Sequence, residues 1–253
     1  MAAGLALSGY QVFVYSIAPF LAYRAFEQIR NDLCYQNLPV KIIGVGGGLA
    51  YGNAGPSHHA TEDIALMTSI PNMSVICPGD PLEVSYAIKE SIKLKGPAYI
   101  RLNRSGDDSV HLHKQIDFKI GRGIVLSLGN EVLILSTGNT LPLASQVCNR
   151  LNKHGISAEL ISMHTLKPFD HKLLISESLN KRMIVTIEEH SPFGGLASII
   201  SKILLENSIS KEFMPFSLPD KFATISGSQI FLRNEYGLNT DVIVSRIVER
   251  LRD

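Results

Sequence analysis

Short runs of β-branched and apolar residues alternate with helix-like segments along most of this chain. Strands are predicted at VKIIGV (40–45) and AYIRL (98–102) in the first half, and at EVLILST (131–137) and MIVTIEE (183–189) in the second. The segments between them place apolar residues at helical spacing. Because parallel strands need a crossover connection that is usually a helix, this alternation predicts an α/β fold with mainly parallel sheets.

The alternation is lost between residues 104 and 123, where charged residues and Gly are frequent. We place a domain boundary near 105–120, so that the chain divides into two consecutive domains, 1–118 and 119–253. Each domain is expected to hold a mainly parallel sheet flanked by helices. With 253 residues, of which 45% are hydrophobic, the chain is large enough to bury two cores.

Composition and charge exclude several classes of function. The 24 basic residues nearly balance the 23 acidic ones, so no strong electrostatic attraction to nucleic acid or membrane is expected, and an anion must be bound by a local site. No apolar run approaches the roughly 18 residues of a membrane helix. The three cysteines, Cys34, Cys77 and Cys148, form no CxxC pair. Buried structural thiols in a reducing cytoplasm are therefore expected, rather than a zinc site or a disulfide framework.

The most unusual segment is the glycine-rich loop GGGLAYGNAGPSHH (46–59), which follows a predicted buried strand. Three consecutive glycines permit positive φ angles and a close approach of the backbone to a ligand. A dinucleotide-binding fingerprint is rejected, because Leu49 and Tyr51 stand where the two candidate frames need Gly or Ala. A Walker A loop is rejected because no GK[ST] follows.

The loop ends in two adjacent histidines, His58 and His59, at the carboxyl end of a predicted strand, where open α/β sheets bind ligands. Each lies four residues before a carboxylate, Glu62 or Asp63, so a metal cluster is one interpretation. The helix dipole already explains carboxylates at a helix start, however, and this favours an interpretation without a metal. From the residues alone, a proton-transferring histidine in a cleft and a purely structural histidine both remain open.

Arginines and aromatic residues at the same predicted edge are further candidates for binding. Arg101 and Arg104 lie three residues apart near the end of a predicted strand. Either could bind a phosphate or carboxylate, and a solvated salt bridge is an equal alternative for each. Phe20 lies near the start of a helix predicted over 19–34, with Tyr23 one turn on. An aromatic ring there could stack on a flat ligand, although periodicity alone favours core packing.

Seven segments of the chain together resemble the transketolase family. Five resemble its pyrimidine-binding domain, in the same order and at nearly the same spacings, and two resemble its C-terminal domain. The segments are MAAGLAL, YSIAPFLAYRAFEQIRND, GPSHHATEDIALM, IPNMSVICPGDPLE, GPAYIRLNR, HTLKPFD (164–170) and IEEHSPFGGLAS (187–198). The resemblance implies a thiamine-diphosphate-binding pyrimidine fold that lacks its N-terminal part, followed by a transketolase C-terminal domain. The glycine-rich loop resembles transketolase-like enzymes of the split-gene kind more closely than it resembles the pentose-phosphate enzyme.

The resemblance also implies roles for individual residues. Phe20 matches the phenylalanine that packs on the aminopyrimidine ring of thiamine diphosphate, Tyr23 matches an aromatic residue three positions on, and Ile17 stands where many members carry another phenylalanine. His58 matches a histidine that contacts the sugar substrate and exchanges protons with it, so it is the expected catalytic residue. Arg104 matches the arginine that binds the sugar phosphate. No metal ligand is expected in this chain, since Mg²⁺ and the diphosphate would be bound by a partner domain.

Departures from the family pattern limit what the resemblance implies. Ala54 stands in place of the family's loop acid and Gly46 in place of its earlier loop histidine, so two polar substrate contacts are missing. The glutamate that activates the cofactor is expected shortly before Met1. The diphosphate-binding domain and its GDG motif are not found either, because Gly79-Asp80 is followed by Pro81. A split or truncated gene, or a start codon assigned too late, would each explain this pattern.

The expected function is that of a C-terminal portion or subunit of a thiamine-diphosphate-dependent, transketolase-like enzyme that transfers a two-carbon ketol unit between sugars. The chain is expected to be inactive alone and to act with a diphosphate-binding N-terminal subunit or a missing N-terminal segment, as a homodimer or hetero-tetramer. Two alternatives share the fold and cofactor: the β-subunit of a 2-oxo-acid dehydrogenase E1, and a deoxyxylulose-phosphate-synthase-like component. A third is a non-catalytic dimerisation or regulatory remnant, which the missing glutamate, Ala54 and Gly46 favour.

Overall fold

A computed structural model describes residues 1–104, 108–111 and 115–252 of the protein. This part of the chain contains two five-stranded sheets, each mainly parallel and flanked by helices. The predicted fold class is therefore confirmed. The proposed boundary near 105–120 includes residues 105–107 and 112–114, which lie outside the described residues.

The two sheets differ in strand order but share one design. The strands are β1 (Val12–Ile17), β2 (Val40–Val45), β3 (Ser74–Ile76), β4 (Ala98–Leu102), β5 (Ile124–Ser127), β6 (Val132–Ser136), β7 (Ala158–Ser162), β8 (Thr165–Lys167), β9 (Met183–Ile187) and β10 (Glu212–Phe216). The first sheet has the order β1-β2-β4-β3-β8, and the second has the order β10-β9-β6-β7-β5. Strand pairs are parallel except β8 with β3 and β5 with β7, so each sheet carries one antiparallel edge strand, as α/β sheets commonly do.

The helices cover both sheets. They are α1 (Ala2–Leu7), α2 (Ala18–Ala22), α3 (Phe26–Gln28), α4 (Asp63–Ser69), α5 (Pro81–Ser91), α6 (Leu141–Lys153), α7 (His171–Ser178), α8 (Leu196–Glu206), α9 (Gln229–Glu235) and α10 (Thr240–Arg252). The single helix predicted over 19–34 is instead broken into α2, α3 and a π-helical stretch, Ile29–Cys34. The break follows Ala22, where the next side chain, Tyr23, reaches across to Glu62.

Two strands are buried along their whole length, which explains their continuous apolar sequences. All six residues of β2 and all five of β6 are buried, so both strands are continuous apolar runs, apart from Lys41 in β2 and Ser136 at the end of β6. The three cysteines are free and buried, as predicted. None of the helices within the described ranges is both long enough and apolar enough to cross a membrane.

A strand from the second half of the chain completes the first sheet. β8 pairs with β3 through Ile76 and Thr165, and the backbone N–H of Cys77 donates to the carbonyl of His164 over 2.7 Å. The two halves of the chain are thus joined by strand pairing as well as by side-chain packing. The position of the second half is fixed relative to the carboxyl edge of the first sheet.

His164 lies at this junction without exposure to solvent. Its ring stacks on Phe118, with centroids 3.9 Å apart, and its Nδ1 is 2.9 Å from Thr165 Oγ1. Burial lowers the pKa of His164 to about 4, from 6.5. Nearby, His111 pairs with the buried carboxylate of Glu83 over 3.0 Å, and these contacts raise the pKa of His111.

Acid is expected to destabilise the fold through His164. Between pH 6.5 and about 4 the unfolded chain binds a proton on this ring and the folded chain does not, so the free energy of unfolding falls as pH falls through that window. The loss should approach about 3 kcal/mol for this group. Urea unfolding at pH 7 and pH 5 should show a smaller difference for His164→Gln than for the wild type. A His154→Gln control alters an exposed histidine, and equal pH dependence in all three proteins would contradict the assignment.

Candidate functional site

The candidate site lies at the carboxyl edge of the first sheet, where three neighbouring parallel strands end. Ile17 of β1 pairs with Val45 of β2, and Val45 pairs with Leu102 of β4. The segments that follow these strands therefore emerge side by side. They carry Phe20, the glycine-rich loop and Arg104, so the topology brings the sequence-predicted residues to one edge.

The glycine-rich loop is closed on itself and fixed to the sheet. Gly48 and Ala60 exchange two backbone hydrogen bonds of 2.8 and 2.9 Å, which closes the loop at its base. The backbone N–H groups of Gly46 and Gly47 both donate to the carbonyl of Leu102 at the end of β4. This anchoring fixes where the tip of the loop, with its histidines, stands.

Phe20 and His58 are in direct contact. Their ring centroids are 4.9 Å apart in an edge-on arrangement, with an interplanar angle of 65°. Both side chains are half-buried, and Ser57 Oγ lies 3.0 Å from Nδ1 of His58. This contact occupies Nδ1 of the imidazole and leaves Nε2 for a ligand. The predicted ring wall and the predicted proton-transfer group thus lie in contact at one edge of the sheet.

Two guanidinium groups lie over aromatic rings near His58. Arg24 Cζ is 4.4 Å from the centroid of Phe20, and Arg104 Cζ is 5.3 Å from the centroid of Tyr51. Tyr51 in turn lies 6.4 Å from the ring of His58. Neither Arg24 nor Tyr51 was predicted from the sequence as a binding residue. The helical i, i+4 spacing of Phe20 and Arg24 could have indicated that Arg24 lies near Phe20.

Tyr23 and Ile17 occupy different surroundings from Phe20. The hydroxyl of Tyr23 donates to Glu62 Oε2 over 2.8 Å and accepts from the Glu62 backbone N–H over 3.2 Å, and burial raises its pKa. Tyr23 also lines an interdomain cleft of about 360 Å³ together with His59, to which Phe20 and His58 do not contribute. Ile17 is half-buried at the end of β1, immediately before α2. The cofactor-binding roles of both residues stay predictions.

The two arginines at the end of β4 have opposite surroundings. Arg101 is buried, and its guanidinium donates to Asp63 Oδ2 over 2.9 Å, to the carbonyl of Ala60 over 2.8 Å and to the carbonyl of Glu189 over 3.0 Å. Its salt bridge with Asp63 lies within the first half of the chain, and its hydrogen bond to the carbonyl of Glu189 reaches the second half. Arg104 is exposed, and its guanidinium lies over the ring of Tyr51.

The two carboxylates after the histidines are already engaged. Asp63 binds Arg101 and accepts a 2.7 Å hydrogen bond from the Tyr99 hydroxyl, while Glu62 binds Tyr23. His59 is buried, which lowers its pKa, and its Nε2 has no hydrogen-bond partner. Across residues 1–104, 108–111 and 115–252, no three His, Cys, Asp or Glu side chains converge as metal ligands would.

Comparison with known proteins identifies the family. The sequence matches the family model of the transketolase pyrimidine-binding domain over residues 1–106 and that of the transketolase C-terminal domain over residues 121–243. A putative transketolase C-terminal section of Methanocaldococcus jannaschii is 36% identical over 100% of this chain and 79% of its own length. One of the subunits of the apulose-4-phosphate transketolase of Phocaeicola vulgatus is 33% identical over 98% of this chain and 79% of its own length.

A solved structure agrees with these relatives. The structure described as "Split gene transketolase, inactive beta4 tetramer" superposes with a TM-score of 0.87 at 37% identity, covering 98% of this chain and 78% of that one. The resemblance drawn from the sequence motifs is thereby confirmed, and the chain belongs to the transketolase family, as a transferase-type subunit with a pyrimidine-binding domain and a C-terminal domain.

Proposed function

We propose that this chain is the pyrimidine- and sugar-facing subunit of a thiamine-diphosphate-dependent enzyme that transfers a two-carbon ketol unit between sugars, and that it is inactive alone. The observation that carries the proposal is the contact between the rings of Phe20 and His58, whose centroids are 4.9 Å apart at the carboxyl edge of the first sheet. Arg104 lies over Tyr51, whose ring is 6.4 Å from that of His58. A ring-stacking wall, a proton-transfer group and an anion-binding group are what such a subunit would need on this side of the cofactor.

The residues of this chain fit one half of the cofactor. Phe20 and Ile17, both half-buried at the sheet edge, are suited to a flat, weakly polar ring such as the aminopyrimidine. With its aminopyrimidine ring held against Phe20 and Ile17, bound thiamine diphosphate would supply carbanion chemistry towards a sugar carbonyl. The diphosphate and its Mg²⁺ would be bound by the partner domain, since no cluster of potential metal ligands is found within the described part of the chain.

The chain's own polar groups would act on the sugar. His58 would hold or move a proton at a substrate hydroxyl, with Ser57 orienting its ring through the contact at Nδ1. Arg104, whose guanidinium is exposed beside Tyr51, would bind a phosphate through its planar fork. These roles require only the imidazole of His58 and the guanidinium of Arg104.

An exposed apolar edge supports a partner. β1 is the edge strand of the first sheet, and its Phe13 and Tyr15 are 42% and 71% exposed, beside Leu7 at 67%. Exposed edge strands with large apolar side chains generally pair or pack with another polypeptide. We propose that a diphosphate-binding subunit or segment covers this edge, in a homodimer or hetero-tetramer.

The proposed function is tested by reconstitution. The purified chain alone should transfer no ketol unit and bind no thiamine diphosphate measurable by calorimetry. With the diphosphate-binding subunit, thiamine diphosphate and Mg²⁺, it should transfer the unit from a ketose donor. Turnover with pyruvate in place of the ketose would favour the E1-type or deoxyxylulose-phosphate-synthase-type alternative, and turnover by the chain alone would contradict the proposal. No turnover and no cofactor binding by the assembled complex would favour the non-catalytic remnant.

Phe20→Ala is expected to weaken cofactor binding in the reconstituted enzyme. Loss of an aromatic stacking contact of about 1 kcal/mol should raise the apparent Kd for thiamine diphosphate roughly five- to tenfold. Calorimetric or activity titration with the cofactor measures this, and Phe26→Ala serves as a control, since that partly buried ring packs against the core. An unchanged cofactor affinity in a folded Phe20→Ala variant would remove Phe20 from the site.

A further inference from the structure

A leucine of the glycine-rich loop is buried in the core of the second half of the chain. Leu49 belongs to the same hydrophobic cluster as Ile134 of β6 and Leu232 of α9. Further along the loop the fit is equally close, since a Cβ atom built on Gly52 would lie 2.4 Å from the carbonyl oxygen of Gly227. The loop extends from the first sheet, but it is packed against the second half of the chain.

Two side chains at the carboxyl edge of the second sheet bind the base of this loop. Glu189, which follows β9, is buried and accepts a hydrogen bond from the backbone N–H of Leu49 through Oε1. A Cβ atom built on Gly48 would overlap the same carboxylate, so the close approach requires glycine. Asn139, which follows the neighbouring strand β6, donates through Nδ2 to the carbonyl of Gly47 over 3.1 Å. Three consecutive loop residues are thus in contact with the second half of the chain.

The carboxylate of Glu189 is held in one orientation by residues of α9. Oε2 accepts from Nε of Arg233, and Oε1 accepts from Nε2 of Gln229 over 2.8 Å. Arg233 also donates through Nη2 to the carbonyl of Asn139 over 3.0 Å. Charge-assisted hydrogen bonds on both oxygens fix the carboxylate, and with it the acceptor that the Leu49 N–H uses.

The base that Glu189 binds is also the support of His58. Gly48 and Ala60 exchange two backbone hydrogen bonds, and His58 lies two residues before Ala60. The guanidinium of Arg101 donates to the carbonyls of both Ala60 and Glu189, which joins the same base to the second half a second time. Because these groups are closely packed, a shift at the base would be transmitted to the histidine.

We propose that Glu189 is a positioning residue for His58, through which the C-terminal domain holds the loop that carries the proton-transfer group. The inference rests on the proposed function and adds to it a residue from outside the first sheet. Since the side chain of Glu189 is fully buried, its effect on turnover would pass through the loop and not through a substrate contact. Displacing a reacting group by about 1 Å can lower a rate by about 10²-fold.

Kinetics of the reconstituted complex test this role. Glu189→Ala removes the acceptor and should lower kcat about 10- to 100-fold, while the apparent Kd for thiamine diphosphate stays unchanged because Phe20 lies outside the loop. Glu189→Gln keeps an oxygen for the Leu49 N–H but loses the charge pairing with Arg233. It should therefore retain most of kcat although its urea midpoint falls. This separation of turnover from stability is what a merely structural role would not produce.

The matched control is a second buried carboxylate of the same domain. Glu159 lies near the amino end of β7, at the opposite edge of the second sheet, and pairs with the buried Lys181. Glu159→Gln should lower the urea midpoint and leave kcat unchanged. Should Glu189→Ala fail to fold, Glu189→Leu combined with Arg233→Leu removes both charges and offers no acceptor, so the same loss of kcat is expected.

A measurement on this chain alone separates the inference from the proposed function. NMR follows the ring signals of His58 and the hydrogen exchange of the Leu49 amide. The variant without the acceptor should shift the ring signals and speed the exchange about tenfold, whereas Glu159→Gln should change neither. If the wild-type complex transfers no ketol unit and these changes are seen, the proposed function fails and the role of Glu189 stands.

Three results would overturn the role of Glu189. The first is a wild-type kcat, or unchanged ring signals of His58, in a folded variant without the acceptor. The second is a loss of kcat in Glu159→Gln as large as that in Glu189→Ala. The third is a kcat of Glu189→Gln as low as that of Glu189→Ala, because the retained acceptor would then have no effect.

Discussion

His58→Ala is expected to lower kcat of the reconstituted enzyme by about 10²- to 10⁴-fold, the usual contribution of a general acid–base group. The side chain is half-buried, contacts the Phe20 ring and lies 3.0 Å from Ser57 Oγ. His58 is not a member of the buried ion pair between Arg101 and Asp63. Removal should therefore leave the fold and the association with the partner subunit intact while the proton transfer is lost.

The control for this prediction is another histidine of the same chain. His154 is exposed just after α6, in the second half of the chain, and His154→Ala should retain full activity. Steady-state kinetics with a ketose donor measures both variants, and circular dichroism melting checks that they are folded. A folded His58→Ala variant with wild-type kcat would show that this histidine is not catalytic.

The sequence was sufficient to predict the edge at which the site lies. β2 and β4 were predicted with the bounds that the structure has, because both are short apolar runs flanked by turn or loop residues. Since parallel strands end at a common edge, the residues after β1, β2 and β4 had to meet there. The contact between Phe20 and His58, 38 residues apart, follows from that rule.

Other features depend on contacts that no local pattern contains. β8 has three residues and β10 contains Pro215, so neither resembles a strand in sequence, and each is formed by pairing with a strand already present. Arg101 and Arg104 cannot be distinguished from the sequence. The ion pair with Asp63, which is distant along the chain, makes Arg101 a buried structural group, whereas Arg104 is exposed.

Asp63→Ala is expected to destabilise the protein by about 3–5 kcal/mol, the cost of leaving one member of a buried ion pair without its partner. Asp63 is fully buried and binds both the Arg101 guanidinium and the Tyr99 hydroxyl. Without the carboxylate, the guanidinium keeps only the carbonyls of Ala60 and Glu189 and remains charged, since an arginine side chain is not deprotonated in proteins. Urea unfolding at pH 7 measures the change.

Two comparisons distinguish a buried-charge effect from a general loss of packing. Glu90→Ala breaks the pair with Lys93, whose side chain is 70% exposed, and should cost at most about 1 kcal/mol, because solvent screens such pairs. The double change of Asp63 to Leu and Arg101 to Met removes both charges, and should recover part of the loss, since an apolar pair can replace a buried ion pair at little cost. If the double variant is less stable than Asp63→Ala, the hydrogen bonds of Arg101 to the two carbonyls, rather than its charge pairing, hold the halves of the chain together.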